Sequence, residues 1–271
     1  MQPTATRVLI TGGSRGLGRA IAERLAGHGS AVGLVARNAS EVEAAAAFIQ
    51  GSGGRAWSYP CDVLDRARLE VAVAKFQAAA GGLDALVCAA GQLRAIGPMA
   101  VVDPDLWWAD VETAIRGAHH VIRASLPYLR NSPHASISVL VGPGHHHPLP
   151  FASAYGCAQA AVVRLVESLS RELATDGVAI YAVNPGLVPT GLMRGLIDTG
   201  EGRRWLPQFN EAFAEGKEVD PSVVAEMVEW LLERRPIELT GRVVAAPLSP
   251  TILETRLERV QSEDLNVLRL R

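Results

Sequence analysis

The stretch Thr11-Gly12-Gly13-Ser14-Arg15-Gly16-Leu17-Gly18 has the residue types and spacing to hold phosphate. It follows the apolar run Val8-Leu9-Ile10 directly and opens a helical pattern. Glycines at such a strand-to-helix turn let the backbone approach a pyrophosphate, and the first N–H groups of the helix point at it. Gly12, Ser14, Arg15, Gly16, Leu17 and Gly18 are therefore the expected contacts of a dinucleotide. The second apolar run ends at Ala36 and is followed by Arg37 and Asn38. A carboxylate there would bind a ribose 2′-hydroxyl. Two guanidiniums, Arg15 and Arg37, suit a 2′-phosphate instead, through charge-assisted bonds. NADP(H) is expected in preference to NAD(H).

A second chemically able group lies farther along. Tyr155 offers a phenol, and Gln159 follows one helical turn later. His145-His146-His147 come after Gly142-Pro143-Gly144, and histidine can act as acid or base near neutrality. Adjacent loop residues rarely converge on one ion and no carboxylate flanks them, so no metal site is expected. Trp205, Phe209 and Phe213 would cover a pocket as an apolar lid, or pack in the core.

Short apolar runs alternate with longer helical patterns, which predicts an α/β, Rossmann-type, doubly wound parallel sheet of about seven strands in a single domain. Strands are expected at 8–10, 31–36, 56–59, 83–89, 136–141, 178–183 and 242–246. Helices are expected at 19–28, 40–50, 65–80, 104–129 (interrupted near Pro127), 152–175 and 222–235. Residues 186–219 read as a loop-rich insertion. The 271 residues are 48% apolar with a net charge of −2, enough to bury a core and no electrostatic case for nucleic acid or an anionic membrane. Cys61, Cys88 and Cys157 are scattered without CxxC spacing, which suits a reducing cytoplasm and argues against a disulfide framework. The N-terminus has no apolar leader core, and no run approaches the roughly 20 apolar residues of a membrane span.

Together these residues resemble the short-chain dehydrogenase/reductase family, over about residues 7 to 246. The glycine loop is similar to that family's TGxxxGxG pattern through Thr11, Gly12, Gly16 and Gly18. Cys61-Asp62-Val63 resembles the segment whose Asp and following apolar residue hold the adenine. Cys88-Ala89-Ala90-Gly91 resembles the NNAG motif, with Cys88 and Ala89 in place of both asparagines. Asn184-Pro185-Gly186-Leu187-Val188-Pro189-Thr190 resembles the stretch that seats the nicotinamide. The resemblance adds Asp62, Val63, Ala89, Gly91, Tyr155, Gln159, Pro185, Gly186, Val188 and Thr190 to the cofactor-binding set. It also implies a homodimer or homotetramer built on the helices at 104–129 and 152–175, a nucleotide domain over 1–248 with a substrate insertion at about 187–220, and a tail, 249–271, packed on the domain or on a neighbouring subunit.

The resemblance implies a catalytic tetrad, and here the chain departs from it. The family's tyrosine has a lysine four residues later, a serine some thirteen residues earlier and an asparagine on the preceding long helix. Tyr155 is present, but those three positions hold Gln159, Gly142 and Ala114. Ser138 would lie inside the fifth strand and is not a substitute. Without a neighbouring cation, Tyr155 has no means of lowering its pKa from about 10. The pocket-bordering His145, His146 and His147 are possible helpers. Three functions stay open: an oxidoreductase with a degenerate site acting on a C=N or activated C=C or C=O bond of a small organic substrate; a non-redox cyclase, dehydratase or isomerase; and a non-catalytic NADP-binding partner subunit.

Overall fold

The computed structural model describes residues 6–269. The N-terminal stretch read as lacking a leader lies, for residues 1–5, outside this range, as do residues 270–271 of the tail. The chain runs β1 (Arg7–Thr11), α1 (Gly16–Gly27), β2 (Ala31–Ala36), α2 (Ala39–Gly51), β3 (Arg55–Pro60), α3 (Arg66–Ala80) and β4 (Ala85–Cys88). It continues through α4 (Pro104–Leu129), β5 (Ser136–Leu140), α5 (Ser153–Glu172) and β6 (Ala179–Asn184). Three short helices follow, α6 (Gly191–Asp198), α7 (Gly200–Trp205) and α8 (Pro207–Ala214). Last come α9 (Pro221–Arg234), β7 (Val243–Ala245), α10 (Pro250–Glu254) and α11 (Leu257–Ser262).

All seven strands pair in parallel, in the order β3-β2-β1-β4-β5-β6-β7. Strands buried on both faces need continuous apolar runs, and Val8, Leu9, Ile10, Val32 and Leu34 are fully buried. One face of the sheet packs on Ile21 and Leu25 of α1, Val42 and Ile49 of α2, and Val224 and Val228 of α9. The other packs on Leu69 and Phe76 of α3, Val121 and Ile122 of α4, and Val162 and Val166 of α5. The strand order reverses between β1 and β4, whose ends, Thr11 and Cys88, lie side by side. In such sheets the crevice for a ligand opens beyond the carboxyl ends of the strands at this point.

Two expectations are corrected. The long helix is not interrupted near Pro127: α4 runs on to Leu129. Pro127 falls in its last turn, so it forgoes one bond of the helix ladder with only two helical residues beyond it. The stretch expected to be loop-rich folds largely as α6, α7 and α8. Thr190 and Thr199 start the first two of these helices by accepting backbone N–H groups. The described tail packs on its own chain: Val243 N donates to Asn266 O at 2.8 Å, and Arg269 pairs with Glu167 at 2.6 Å.

Candidate active site

The glycine loop is built for close approach. Gly12 has φ of +69° in the left-handed region that disfavours side chains, and a Cβ there would come within 2.7 Å of Ala89 O. A Cβ on Gly18 would collide with Gly12 O. Beyond this turn a cleft of about 1020 Å³ runs across the switch point. Each residue assigned to the nucleotide lines this one cleft, from Gly12 on the β1 side through Arg37, Asp62 and Gly91 to Thr190 on the far side. These glycines let the turn close tightly on Ala89 and on itself and leave backbone lining this end of the cleft, which fits a dinucleotide's pyrophosphate.

At the α2 end of the cleft stands a residue the sequence reading missed. Glu41, in the first turn of α2, accepts Ser14 Oγ at 3.3 Å and Asn38 Nδ2 at 3.1 Å, and lies 3.8 Å from Arg15. Asn38 caps the same helix by accepting Glu41 N. The arginine–glutamate contact is long and largely exposed, so it is weak. Arg37 is exposed and has no ion-pair partner among the described residues. A residue three positions into the helix gives no sign of turning back to the loop, so only the packing of α2 against the glycine turn reveals Glu41.

At the other end, Tyr155 in the first turn of α5 is buried, and its ring lies against Gly142. A Cβ on Gly142 would come within 2.8 Å of Tyr155 Cε1 and would collide outright with the phenol oxygen. The phenol thus occupies the space that a serine side chain at 142 would need. Burial, and secondarily the charge of Asp110, push the Tyr155 phenol well above its usual range. Gln159 is also buried and accepts the Gly142 amide at 2.8 Å through Oε1. Ala114 lines the cleft, whereas Ser138 is fully buried in β5 with no hydrogen-bond partner for its hydroxyl among the described residues.

The histidines fall elsewhere. Gly142 and Pro143 line the cleft, while His145, His146 and His147 do not. His145 Nδ1 lies 2.8 Å from Gly142 O, and a carbonyl only accepts, so this nitrogen carries the proton. Nε2 of the neutral ring is then bare and accepts His146 Nδ1–H at 2.8 Å. Desolvation lowers the pKa of both rings, which keeps them in these neutral forms. They hold the 142–147 turn in place rather than facing the cleft.

Around Tyr155 the cleft is walled by Leu93, Met193 and Leu196, with Phe209 and Phe213 packed behind. Trp205 stacks on Phe151 at 4.7 Å between ring centroids. Cys61 and Cys88 line the cleft, but burial pushes their thiols up to about 11 and about 12, which leaves them protonated and weak as nucleophiles. No group of three or more His, Cys, Asp or Glu able to hold a metal occurs among the described residues, and no described helix is long and apolar enough to cross a membrane.

A parallel sheet with a glycine-lined nucleotide cleft at its switch point and a phenol at one end defines a class, the nucleotide-dependent oxidoreductases of Rossmann type. The short chain dehydrogenase family matches residues 6–200. The chain belongs to this family, whose members are oxidoreductases that use nicotinamide cofactors. It is 32% identical over 266 residues to the short chain dehydrogenase mpl6 of Monascus purpureus, covering 95% of this chain and 86% of that protein. A dehydrogenase/reductase from Sinorhizobium meliloti 1021 superposes with a TM-score of 0.79 at 29% identity, over 90% of this chain and 94% of that one. A short chain dehydrogenase from Burkholderia cenocepacia J2315, solved in complex with NADP, superposes with a TM-score of 0.77 at 25% identity, over 90% and 97% of the two chains.

Proposed function

We propose that this chain is an NADP(H)-dependent oxidoreductase with a non-standard proton-handling site, acting on a small, largely apolar organic substrate. The observation that carries this reading is the seating of Tyr155 against Gly142, with Gln159 committed to the Gly142 amide, at the apolar end of an intact nucleotide cleft. When bound, the nicotinamide supplies or accepts hydride. Gly12, Gly16 and Gly18 would hold the pyrophosphate, Arg15 and Arg37 the 2′-phosphate, and Thr190 the carboxamide. The NADP complex of the Burkholderia cenocepacia relative supports the choice of dinucleotide.

The chain's own residues limit the chemistry. Leu93, Met193 and Leu196 exclude water and offer no charge to a substrate. Tyr155 presents a phenol that stays protonated, since burial opposes its ionisation and no cation replaces the family's lysine. Such a phenol gives its proton best to a strongly basic centre. Hydride addition to a C=N bond, or to an activated C=C or C=O bond, creates one. A plain ketone depends more on the donor that Gly142 lacks, and loss of such a donor costs roughly 100- to 1000-fold.

We further assign the nucleotide domain to residues 1–248, with the substrate insertion at about 187–220, and self-association to α4 and α5, where Trp108 is exposed. The test is NADPH oxidation followed at the nicotinamide absorbance against cyclic imines, conjugated enones and ketones. Hydride loss to the first two supports the assignment. Turnover without NADPH oxidation would favour a cyclase, dehydratase or isomerase. Tight NADP binding with no turnover would favour a partner subunit.

A further inference from the structure

Gln92 gave no signal in the sequence, and the fold sets it in the middle of the cleft with its side chain uncommitted. The chain from Ala89 to Leu93 runs along the cleft, and each of its five residues lines it. At the start of this run Ala89 lies against the glycine turn, where a Cβ on Gly12 would come within 2.7 Å of Ala89 O. At its end Leu93 packs with Tyr155, Met193 and Leu196. Gln92 therefore stands between the nucleotide turn and the phenol. It is half-buried and its Oε1 is buried. Neither end of its carboxamide has a hydrogen-bond partner among the described residues.

Other polar groups of the cleft are spoken for. Gln159 accepts the Gly142 amide at 2.8 Å, Thr113 Oγ1 donates to Ala109 O at 2.9 Å, and Thr190 caps α6. Gln92 differs. A buried amide oxygen that has given up water for no partner is unfavourable, and an apolar side chain of the same shape would not carry that cost. The missing partner must bring a hydrogen, which a ketone or an alkene cannot. A hydroxyl can, and being neutral it suits the apolar walls of Leu93, Met193 and Leu196. The carboxamide can serve a hydroxyl either way, since Oε1 accepts, Nε2 donates, and a half-turn of the amide exchanges the two.

Resting on the nucleotide-cleft reading above, we propose that Gln92 is a ligand-binding residue whose carboxamide holds one neutral hydroxyl where coenzyme and substrate meet. That hydroxyl belongs to the nicotinamide ribose of the coenzyme or to the substrate, beside the bond being reduced. The chemistry is the same from either source: the ligand O–H supplies the hydrogen bond that Oε1 lacks in the empty cleft. Binding then relieves a cost that the ligand-free fold carries, and a ligand without the hydroxyl leaves that cost in place. If the substrate is the source, Gln92 narrows its class from a largely apolar molecule to one that also carries a hydroxyl near its C=N, C=C or C=O bond.

Gln92→Met keeps the length of the side chain and removes both polar ends. Without ligand, Q92M should melt at or above the wild-type Tm, because apolar replacement of an unpaired buried group is neutral or stabilising. A clearly lower Tm shows that the carboxamide was already satisfied within the fold and overturns the proposal. Should Q92M not fold, Gln92→Leu is read in the same way, and failure of both overturns it. NADP⁺ affinity, measured by calorimetry, should fall about two- to tenfold in the variant if the ribose is the source. If that affinity is unchanged, the probes are cyclohexenone with and without a ring hydroxyl next to the alkene, read as binding to the NADP⁺-loaded protein. The wild type should then prefer the hydroxylated probe by a similar factor, and Q92M should lose the preference. Equal affinities of wild type and variant for all these ligands overturn the proposal, as does binding of none of them. No arm needs hydride transfer, so failure to oxidise NADPH with either probe counts only against the oxidoreductase reading.

Discussion

The Gly142 amide donates to Gln159 Oε1 at 2.8 Å, and both residues are buried. Gln159, one helical turn after Tyr155, is therefore an acceptor for a backbone N–H that has no other partner in the hydrogen bonds of this turn. Lysine carries donors only. Gln159→Lys would strip the Gly142 amide of its acceptor and bury a cation, and leaving a buried group unsatisfied costs roughly 1–3 kcal/mol. The expected outcome is a lower Tm with no gain in ketone reduction. Robust ketone turnover by this single variant would contradict the geometry. Gly142→Ser should not rescue it, because the new Cβ collides with the Tyr155 phenol; overpacking of this kind costs about 1–3 kcal/mol.

Gly12→Ala tests the nucleotide cradle. The backbone at this position is left-handed, and the added methyl would press on Ala89 O. NADP⁺ binding by calorimetry should be lost, while circular dichroism reports a folded chain. Retained affinity would show that the cleft does not bind its ligand at this turn.

Arg37→Ala addresses the choice of dinucleotide. Removing a guanidinium from a phosphate removes a charged hydrogen bond of about 1.5–3 kcal/mol, or roughly 10- to 100-fold in affinity. The loss should fall on NADP⁺ and spare NAD⁺. Glu41→Gln should move the other way, since it frees Arg15 and removes a charge that repels the phosphate. Equal losses for both dinucleotides in Arg37→Ala would sink the assignment of the 2′-phosphate subsite.

The His145–His146 pair fixes a pH dependence. Folding lowers both pKa values, chiefly by desolvation, so between the folded and unfolded values the unfolded chain binds more protons. Their contribution to stability is present above the unfolded value of about 6.5 and is lost as pH falls below it. A second proton on His145 would also place an N–H against the His146 Nδ1–H. Denaturant melts should show wild-type stability falling below that pH more steeply than in His145→Asn, whose amide can still donate to Gly142 O. Parallel curves would refute the tautomer chain.

The parallel sheet, the order of its helices and the glycine turn were all legible in the chain, because periodicity and glycine placement act locally. Gln159 and Gly142, by their spacing from Tyr155, and Ala114, by its segment of α4, are the residues that the family resemblance sets at the lysine, serine and asparagine positions. Residues that the reading placed together by proximity in sequence did not always end together. His145, His146 and His147 follow the cleft residue Pro143, yet none lines the cleft: His145 bonds Gly142 O and His146 bonds His145. Which way a loop side chain points depends on which buried carbonyl it must satisfy, and that is known only once β5 and α5 are docked.

Other assignments required the tertiary structure outright. Glu41 reaches Ser14 across 27 residues of sequence, and Asp110 reaches Ala95 across 15. No local pattern marks either one, since an acidic residue on a helix ordinarily faces solvent. The sequence determined by itself the strand–turn–helix course of the glycine loop and the placing of Gln159 one turn after Tyr155. Only the packing decided that the phenol fills the space above Gly142 and that Asp110 is buried against the amides of Arg94 and Ala95. The reason is physical: backbone preference is written residue by residue, whereas the charge and room around a side chain are set by what the rest of the fold brings against it.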